Sequence, residues 1–363
     1  MPRIFLGNFE FEHCLATPGR QLPAKLTRIN AELAMAWLAI ADDRDFIWTP
    51  VPVDPAFFHR ANDDGLPRVI PLELLSEAPR GATCVPWGWT DEVRRLCDQY
   101  GWNRHDPPQD SVRASNSRRL SSSLERQWGV GLPGSCEADS VATIESQIRL
   151  QPAESRWVIK AEFGMSGRER LLGQGPLTAD QRNWITRRLT ADGVVFFEPW
   201  VDAVSEIGIQ IDVPEQGQST VVGVAPMIAS KQGQYAGSRF DERANVDWDE
   251  PLRVALQAAL QIQASGYFGP LGIDAMLYRD AAGEARWRPL QDINARWTMG
   301  RLSLGWRRLL KSGNTGVWMH GGDLADIPTE WTNPHRGWRS IATSPESIAG
   351  IPVARQSRVW IGD

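Results

Sequence analysis

The stretch RPLQDINARWTMGRL, residues 288–302, decides the reading of this chain. Asp292, Asn294 and Arg296 stand at every second position in a segment that otherwise reads as the end of a buried strand. Period-two spacing puts alternate side chains on one sheet face, so an acid, an amide and a guanidinium share that face. Upstream, GPLGIDAMLYRD (269–280), the turn AAGE (281–284) and ARWRPLQDIN (285–294) read as a hairpin. With its turn centred near Gly283, Asp274 falls opposite Asp292, about 4.5–5.5 Å away between Cβ atoms. Two like charges so placed repel unless something positive lies between them. Asp274, Asp292 and Asn294 then offer oxygen ligands only, which suits Mg²⁺. A register slip of one residue would separate the acids. The alternative is that one aspartate caps the following helix and the other is solvated.

Two further stretches carry chemistry. In WVIKAEFGMSGRER (157–170) a strand ends on Lys160 and enters a loop holding Gly164, Ser166, Gly167, Arg168 and Arg170. Glycines let backbone N–H groups face an anion, and the cations complement its charge. The loop lacks the G-K-[ST] ending of a Walker A sequence and could equally be a solvated turn. In FFEPWVDAVSEIGI (196–209) an apolar strand meets an acid, a proline and a tryptophan, as at an inter-lobe hinge. Backbone there could read an adenine edge and Glu206 could accept ribose hydroxyls; taken singly, Glu198 and Glu206 read as strand-end acids.

The 363 residues suffice for two or three packed units, and 42% hydrophobic with 23% charged residues is ordinary for a soluble globular protein. A net charge of −5 leaves no basic footprint for nucleic acid. No apolar run is long enough for a bilayer, and MPRIFLGNFEFEHC is no signal peptide, so a cytoplasmic protein is expected. Cys14, Cys84, Cys97 and Cys136 lack metal spacing and read as reduced thiols. Strands alternating with helices, among them TDEVRRLCDQYGW (90–102) between Thr90 and Gly101, predict a small α/β unit over the first hundred residues. NRHDPPQDS (103–111) reads as a linker, and RRLSSSLERQWGVGLPGS (118–135) as a helix closed by Gly131 and Pro133. Lys231, Tyr235 and Arg239 are candidates for an anionic or peptide-like substrate, against the plainer reading of a solvated loop. His335 and the early FEFEH (9–13) have no assignable role.

In this order the pieces resemble the ATP-grasp superfamily of carboxylate–amine ligases, over roughly residues 110–310. Its pattern runs from a basic helix start through strand-Lys-glycine loop and hinge Glu to an Asp hairpin ending (Glu/Asp)-x-Asn-x-Arg. The resemblance implies an α/β (α+β) ATP-grasp fold, two α/β lobes clasping ATP after a small α/β N-terminal domain. It places that domain at 1–110, the small lobe with the phosphate loop at 111–197, the large lobe with the metal hairpin at 198–310, and a loop-rich tail at 311–363. Arg118 or Arg119 and then Lys160 would be the basic positions. Gly164, Ser166, Gly167 and Arg168 would cover phosphate. Glu198, Trp200 and Val201 would line the adenine hinge and Glu206 hold the ribose. Asp274, Asp292 and Asn294 would bind Mg²⁺, with Mn²⁺ as the other candidate ion. Lys160 and Arg296 would be catalytic, Arg296 on the acyl phosphate or else in a salt bridge to Asp292. Two departures stand out: Asp292 is shorter than the family's usual Glu, and the first basic residue is Arg rather than Lys. The implied reaction is ATP-dependent amide formation between a small-molecule carboxylate and an amine, with release of ADP and phosphate. An ATP-grasp phosphotransferase and a non-catalytic ATP-binding protein are the alternatives. Ligases of this shape are often homodimers, and neither nucleic acid nor membrane is an expected partner.

Overall fold

The computed structural model describes residues 1–19, 24–164, 169–230, 233–240, 247–320, 338–354 and 356–362. Ser166, Gly167 and Arg168 of the expected phosphate loop lie outside the described residues, as do Lys231 and His335.

The N-terminal unit is a parallel sheet of β1 (Arg3–Leu6), β2 (Phe46–Trp48), β3 (Ile70–Leu72) and β4 (Thr83–Pro86), in the order β3-β2-β1-β4. Its helices are α1 (Phe11–Ala16), α2 (Ala24–Leu33), α3 (Pro55–Asp63) and α4 (Asp91–Tyr100). Thr90 caps α4 by accepting from the Val93 N–H, and Gly101 ends it in the left-handed region, as the sequence predicts. Part of the presumed linker is helical, as α5 (Gln109–Ser115).

The small lobe consists of α6 (Arg118–Trp128), α7 (Val141–Leu150) and α8 (Ala179–Asp192) against an antiparallel sheet. Its strands are β5 (Cys136–Ala138), β6 (Arg156–Lys160), β7 (Arg170–Gln174) and β8 (Val195–Pro199), ordered β5-β8-β6-β7. Helix α6 ends sooner than expected. Gly129 adopts φ 68° and closes it two residues before Gly131. Ile144, Trp157, Ile159, Ile185 and Phe197 form this lobe's own core.

The large lobe holds α9 (Asp249–Ala264), α10 (Met299–Trp306) and the strands β9 (Asp202–Val213), β10 (Thr220–Ala229), β11 (Tyr235–Arg239), β12 (Gly269–Arg279) and β13 (Ala285–Asn294). Residues 311–363, poorly patterned in sequence, add β14 (Thr315–His320), β15 (Arg339–Ala342), the small hairpin β16 (Ser347–Ile348) with β17 (Ile351–Pro352), and β18 (Ser357–Gly362). Among the described residues one sheet runs β13-β12-β9-β10-β11-β14-β18-β15. What reads as a tail thus supplies three strands of the main sheet.

One core joins the N-terminal unit to this sheet, with Phe5 and Trp37 on one side and Ile209, Ile273 and Trp306 on the other. Trp37 and Trp306 are fully buried, each removing roughly 150–250 Å² from water, on the order of 4–6 kcal/mol apiece as an upper estimate. Helix α10 fits because Gly305 meets backbone: a Cβ there would lie 2.5 Å from the Ala39 carbonyl oxygen. Gly305→Ala is therefore expected to cost about 1–3 kcal/mol by overpacking. Urea titration checks this; an unchanged midpoint would mean that the two units are not locked together there.

The hairpin brings the acids together by a route the sequence does not show. Its tip pairs Arg279 with Ala285, one residue off the assumed centre. Between the pairs Met276–Arg288 and Asp274–Asp292, β12 advances two residues and β13 four. This bulge contains Pro289, a residue that strands tolerate at bulges, and it restores the facing register at the acids.

Candidate active site

Strand β12 pairs on its other side with β9, setting Glu206 beside Met276 and Gly208 beside Asp274. Glu206, Met276, Asp274 and Asp292 therefore share one face of the large sheet. Burial, together with the facing Asp292, pushes the Asp274 carboxyl up to about 7, against Arg296 and a hydrogen bond from Asn294. The pair resists double ionisation without a cation, and its donors are all oxygens. That fits Mg²⁺, which binds through one or two carboxylates and keeps water in its remaining positions. Among the described residues no third His, Cys, Asp or Glu joins them. Asn294 is turned away from a ligating pose: its Nδ2 donates to Asp274 at 3.1 Å while its Oδ1 accepts from Arg296 at 2.9 Å.

The two arginines offered for the first basic position point to different partners. Ser117 caps α6, so the side chains of Arg118 and Arg119 diverge from the helix start. Arg118 is nearly buried and donates to Asp292 at 3.1 Å and to the Ala161 carbonyl at 3.4 Å. Its Nη1 is buried without a partner, a donor pointing at no acceptor. Arg119 instead pairs with Glu137 at 2.8 Å and with Glu162 at 3.4 Å, away from the acids. Arg119 is thus not brought to the site.

Lys160, at the end of β6, donates to Glu198 at 2.7 Å. Burial pulls its ammonium below the usual lysine range, with Glu198 working against that. Glu198 is a buried acid clamped from two sides rather than a strand-end acid facing solvent. Arg288 reaches both of its oxygens at 2.8 and 3.1 Å and bonds Glu125 of α6 at 2.6 and 2.9 Å. Burial alone would push the Glu198 carboxyl up; Arg288 and then Lys160 outweigh it and hold the group well below the usual carboxylate range. Burial raises Glu206, which accepts from Gln291 at 3.4 Å and feels the charges of Lys160 and Arg170. Of the hinge residues, Val201 packs with Leu132, Met276 and Tyr278, an apolar pad below the cations. The Trp200 ring lies 4.6 Å from the Arg156 guanidinium, which occupies one of its faces.

Arg296 does not form a salt bridge to Asp292. Its Nε donates to Glu12 of α1 at 2.6 Å, its Nη1 to the Trp297 carbonyl at 2.8 Å, and its guanidinium lies 5.3 Å from the Trp87 ring. The N-terminal unit thus holds the arginine that ends the QDINAR stretch. Tyr235 bonds Ser238 at 2.9 Å within its own strand. Glu12, Arg288 and Gln291 contact the expected site residues, Glu125 joins them through Arg288, and sequence reasoning missed all four. Arg288 and Glu125 are 163 positions apart, and nothing local marks them as partners. A separate cleft of about 350 Å³, between the β9–β10 turn, Phe268 and Trp297, contains none of the expected site residues.

No protein-family model matches the sequence, and no curated protein matches it. Solved structures do. N5-carboxyaminoimidazole synthetase from Staphylococcus aureus, complexed with ADP, superposes with a TM-score of 0.56 at 11% identity, covering 99% of this chain and 92% of that one. The biotin carboxylase domain dimer of Hydrogenobacter thermophilus 2-oxoglutarate carboxylase, in complex with MgADP, ADP and bicarbonate, gives 0.51 at 12% identity, covering 85% and 73%. Identities this low speak to fold. The chain has the ATP-grasp fold expected from its motifs, and no described helix is long and apolar enough to cross a membrane.

Proposed function

We propose that this ATP-grasp chain is an ATP- and Mg²⁺-dependent ligase that joins a carboxylate to an amine through an acyl phosphate. One observation carries the reading: of two facing acids Asp274 needs a cation, and the arginine that bonds Asp292 keeps a buried Nη1 in need of an acceptor. A phosphate-bound magnesium ion answers both needs. Asp274 and Asp292 would hold the ion, with Asn294 after its amide turns, and the ion would supply positive charge to the phosphate oxygens. Glu206, on the same sheet face as the acids, would accept the ribose hydroxyls. Val201, with Leu132, Met276 and Tyr278, would offer the base an apolar pad.

Arg118 and Lys160 are placed to neutralise charge that builds on the transferred phosphoryl group. In the first step a carboxylate oxygen attacks the γ-phosphorus and ADP leaves. In the second, the amine nitrogen attacks the acyl carbon, the C–O bond to phosphate breaks, and the amine loses a proton. The ADP complex of the synthetase and the MgADP complex of the carboxylase domain support nucleotide use on this fold.

The test supplies ATP, Mg²⁺ and a carboxylate panel with and without amines, and an alcohol panel in parallel, measuring ADP, amide and phosphorylated alcohol together. Amide equal to ADP supports the ligase. ADP with phosphorylated alcohol and no amide points to a phosphotransferase. Nucleotide binding with no ADP under any condition leaves a binding protein. Arg118→Ala should lower kcat by about 10²–10³-fold, the usual loss when one transition-state donor is removed, and Arg119→Ala by less than about threefold. Equal effects would undo the assignment of Arg118.

A further inference from the structure

The loop after β1 and the helices α1 and α2 bring together a cluster of buried acceptors with too few donors. Asn8 fixes the loop by donating to the Gly88 carbonyl at 2.8 Å and accepting from the Gly88 N–H at 3.4 Å. Beyond it, Glu10 and Glu12 are each only 6% exposed, and Asn30 of α2 is 4% exposed. Asn30 donates its Nδ2 to the Glu10 carboxylate, which leaves its Oδ1 buried with no partner. Glu12 gives one oxygen to Arg296, and its other oxygen is likewise buried with no partner. Both orphans are acceptors. The charges that Glu10 feels here are those of Glu12 and Glu92, both negative, and Cys14 sits among the three acids. Among the described residues Arg296 is the cation bound at this cluster, and it touches Glu12 alone of the three.

An isolated buried acceptor is costly, and two of them, one on Glu12 and one on the partner of Glu10, call for a group rich in N–H and positively charged. An anion would be repelled, and a neutral carbonyl would offer nothing to either orphan. A bridging water could satisfy the two atoms but not the excess negative charge. The cluster also has a direction. Glu12 is bonded to Arg296, and Arg296 to Asn294 beside the facing acids, so an amine held here stands on the N-terminal side of the expected acyl phosphate.

We propose that Glu10, Glu12 and Asn30 form the recognition site for a cationic acceptor, an alkylammonium or guanidinium group of the amine substrate. This rests on the ligase reading for the acceptor's purpose, but not for its binding.

The experiment therefore measures binding in the full-length protein without nucleotide. Methylammonium, guanidinium, putrescine and lysine amide are titrated by calorimetry and thermal shift, with butanol and butyrate as neutral and anionic controls. At least one cation should bind and stabilise while both controls do not. Glu12→Gln and Asn30→Leu should each weaken that binding about tenfold or more, as expected for loss of one charge-assisted contact. Asn30→Lys should raise the melting temperature by placing an internal ammonium in the cage, and should abolish probe binding. Wild-type protein that binds none of the cations, together with an Asn30→Lys variant that gains no stability, would overturn the proposal and leave water as the occupant. ATP is titrated into the wild type separately. Absent ATP binding with retained cation binding sinks the ligase reading alone, and the reverse pattern sinks this site alone.

Discussion

Asp292→Asn is expected to lower ATP turnover by at least about 10³-fold, because under the proposed function the Mg²⁺ would lose one of its two carboxylates where phosphoryl charge must be neutralised. Asp274→Asn should do the same while making the metal-free protein more stable. The sign follows from the carboxyl being pushed up to about 7, above its ordinary value of 3.8. Below pH 4 the group is protonated in both folded and unfolded chains and contributes nothing. Between pH 4 and 7 the folded chain binds the extra proton, so stability falls as pH rises, and above pH 7 the whole penalty is present. Burial raises Glu206 and Glu10 too, so they add slope of the same sign. Asp274→Asn should therefore flatten the loss of stability from pH 5 to 8 without abolishing it. Mg²⁺ should stabilise the wild type at pH 8 more than at pH 5, and the variant little at either. Melting curves across that grid decide the matter; a variant that keeps both the full slope and the Mg²⁺ response would remove the ion from between these acids. Asp292→Asn should gain less stability, since it also frees Arg118 from its bond at 3.1 Å.

The readable parts of this chain share one property: their signals are local. Alternation in a strand, an N-cap at Thr90 and a hairpin turn each act within a few residues, and the structure contains them all. Even there the facing of Asp274 and Asp292 depends on a bulge at Pro289 that compensates a turn one residue off its assumed centre. The parts that stayed hidden are long-range pairings. Glu12 meets Arg296 across 284 positions, and FEFEH gives no local hint that its second acid will hold the arginine of QDINAR. The choice between Arg118 and Arg119 also waits on tertiary structure, because consecutive residues on a helix point about 100° apart and either could face the acids. The strands β14, β15 and β18 are short, and their pairing partners lie far away in sequence, so their alternation is weak when read alone.

Arg288→Met is expected to be the most destabilising single change in the site, by about 3–5 kcal/mol, because it strips the shared cation from two buried carboxylates. Lys160 still serves Glu198, but Glu125 has no other ion pair among the described residues. Burial already raises Glu125 while Arg288 opposes it, so without the arginine its carboxyl should be pushed up further. Adding Glu125→Gln should therefore restore much of the lost stability, and Arg288→Lys should restore less, since one ammonium cannot span both carboxylates. Acid sensitivity should change as well. Glu198 is held below its ordinary range, so its pairing stabilises the fold at neutral pH and is lost as pH falls through the folded value. Arg288→Met should shrink that acid-linked loss. Denaturant titrations of the single and double variants at pH 7 and pH 4 check both statements. If Arg288→Met is as stable as the wild type, the network is not compensating buried charge. If it is unstable but Glu125→Gln does not help, the arginine acts by filling space. The functional consequence follows from geometry: Arg288 ties α6, whose first residue is Arg118, to the acid that pairs with Lys160. Loosening that tie moves Arg118 and Lys160 at once, so if both meet phosphate as proposed, KM for ATP in Arg288→Met should rise together with a fall in kcat rather than either alone.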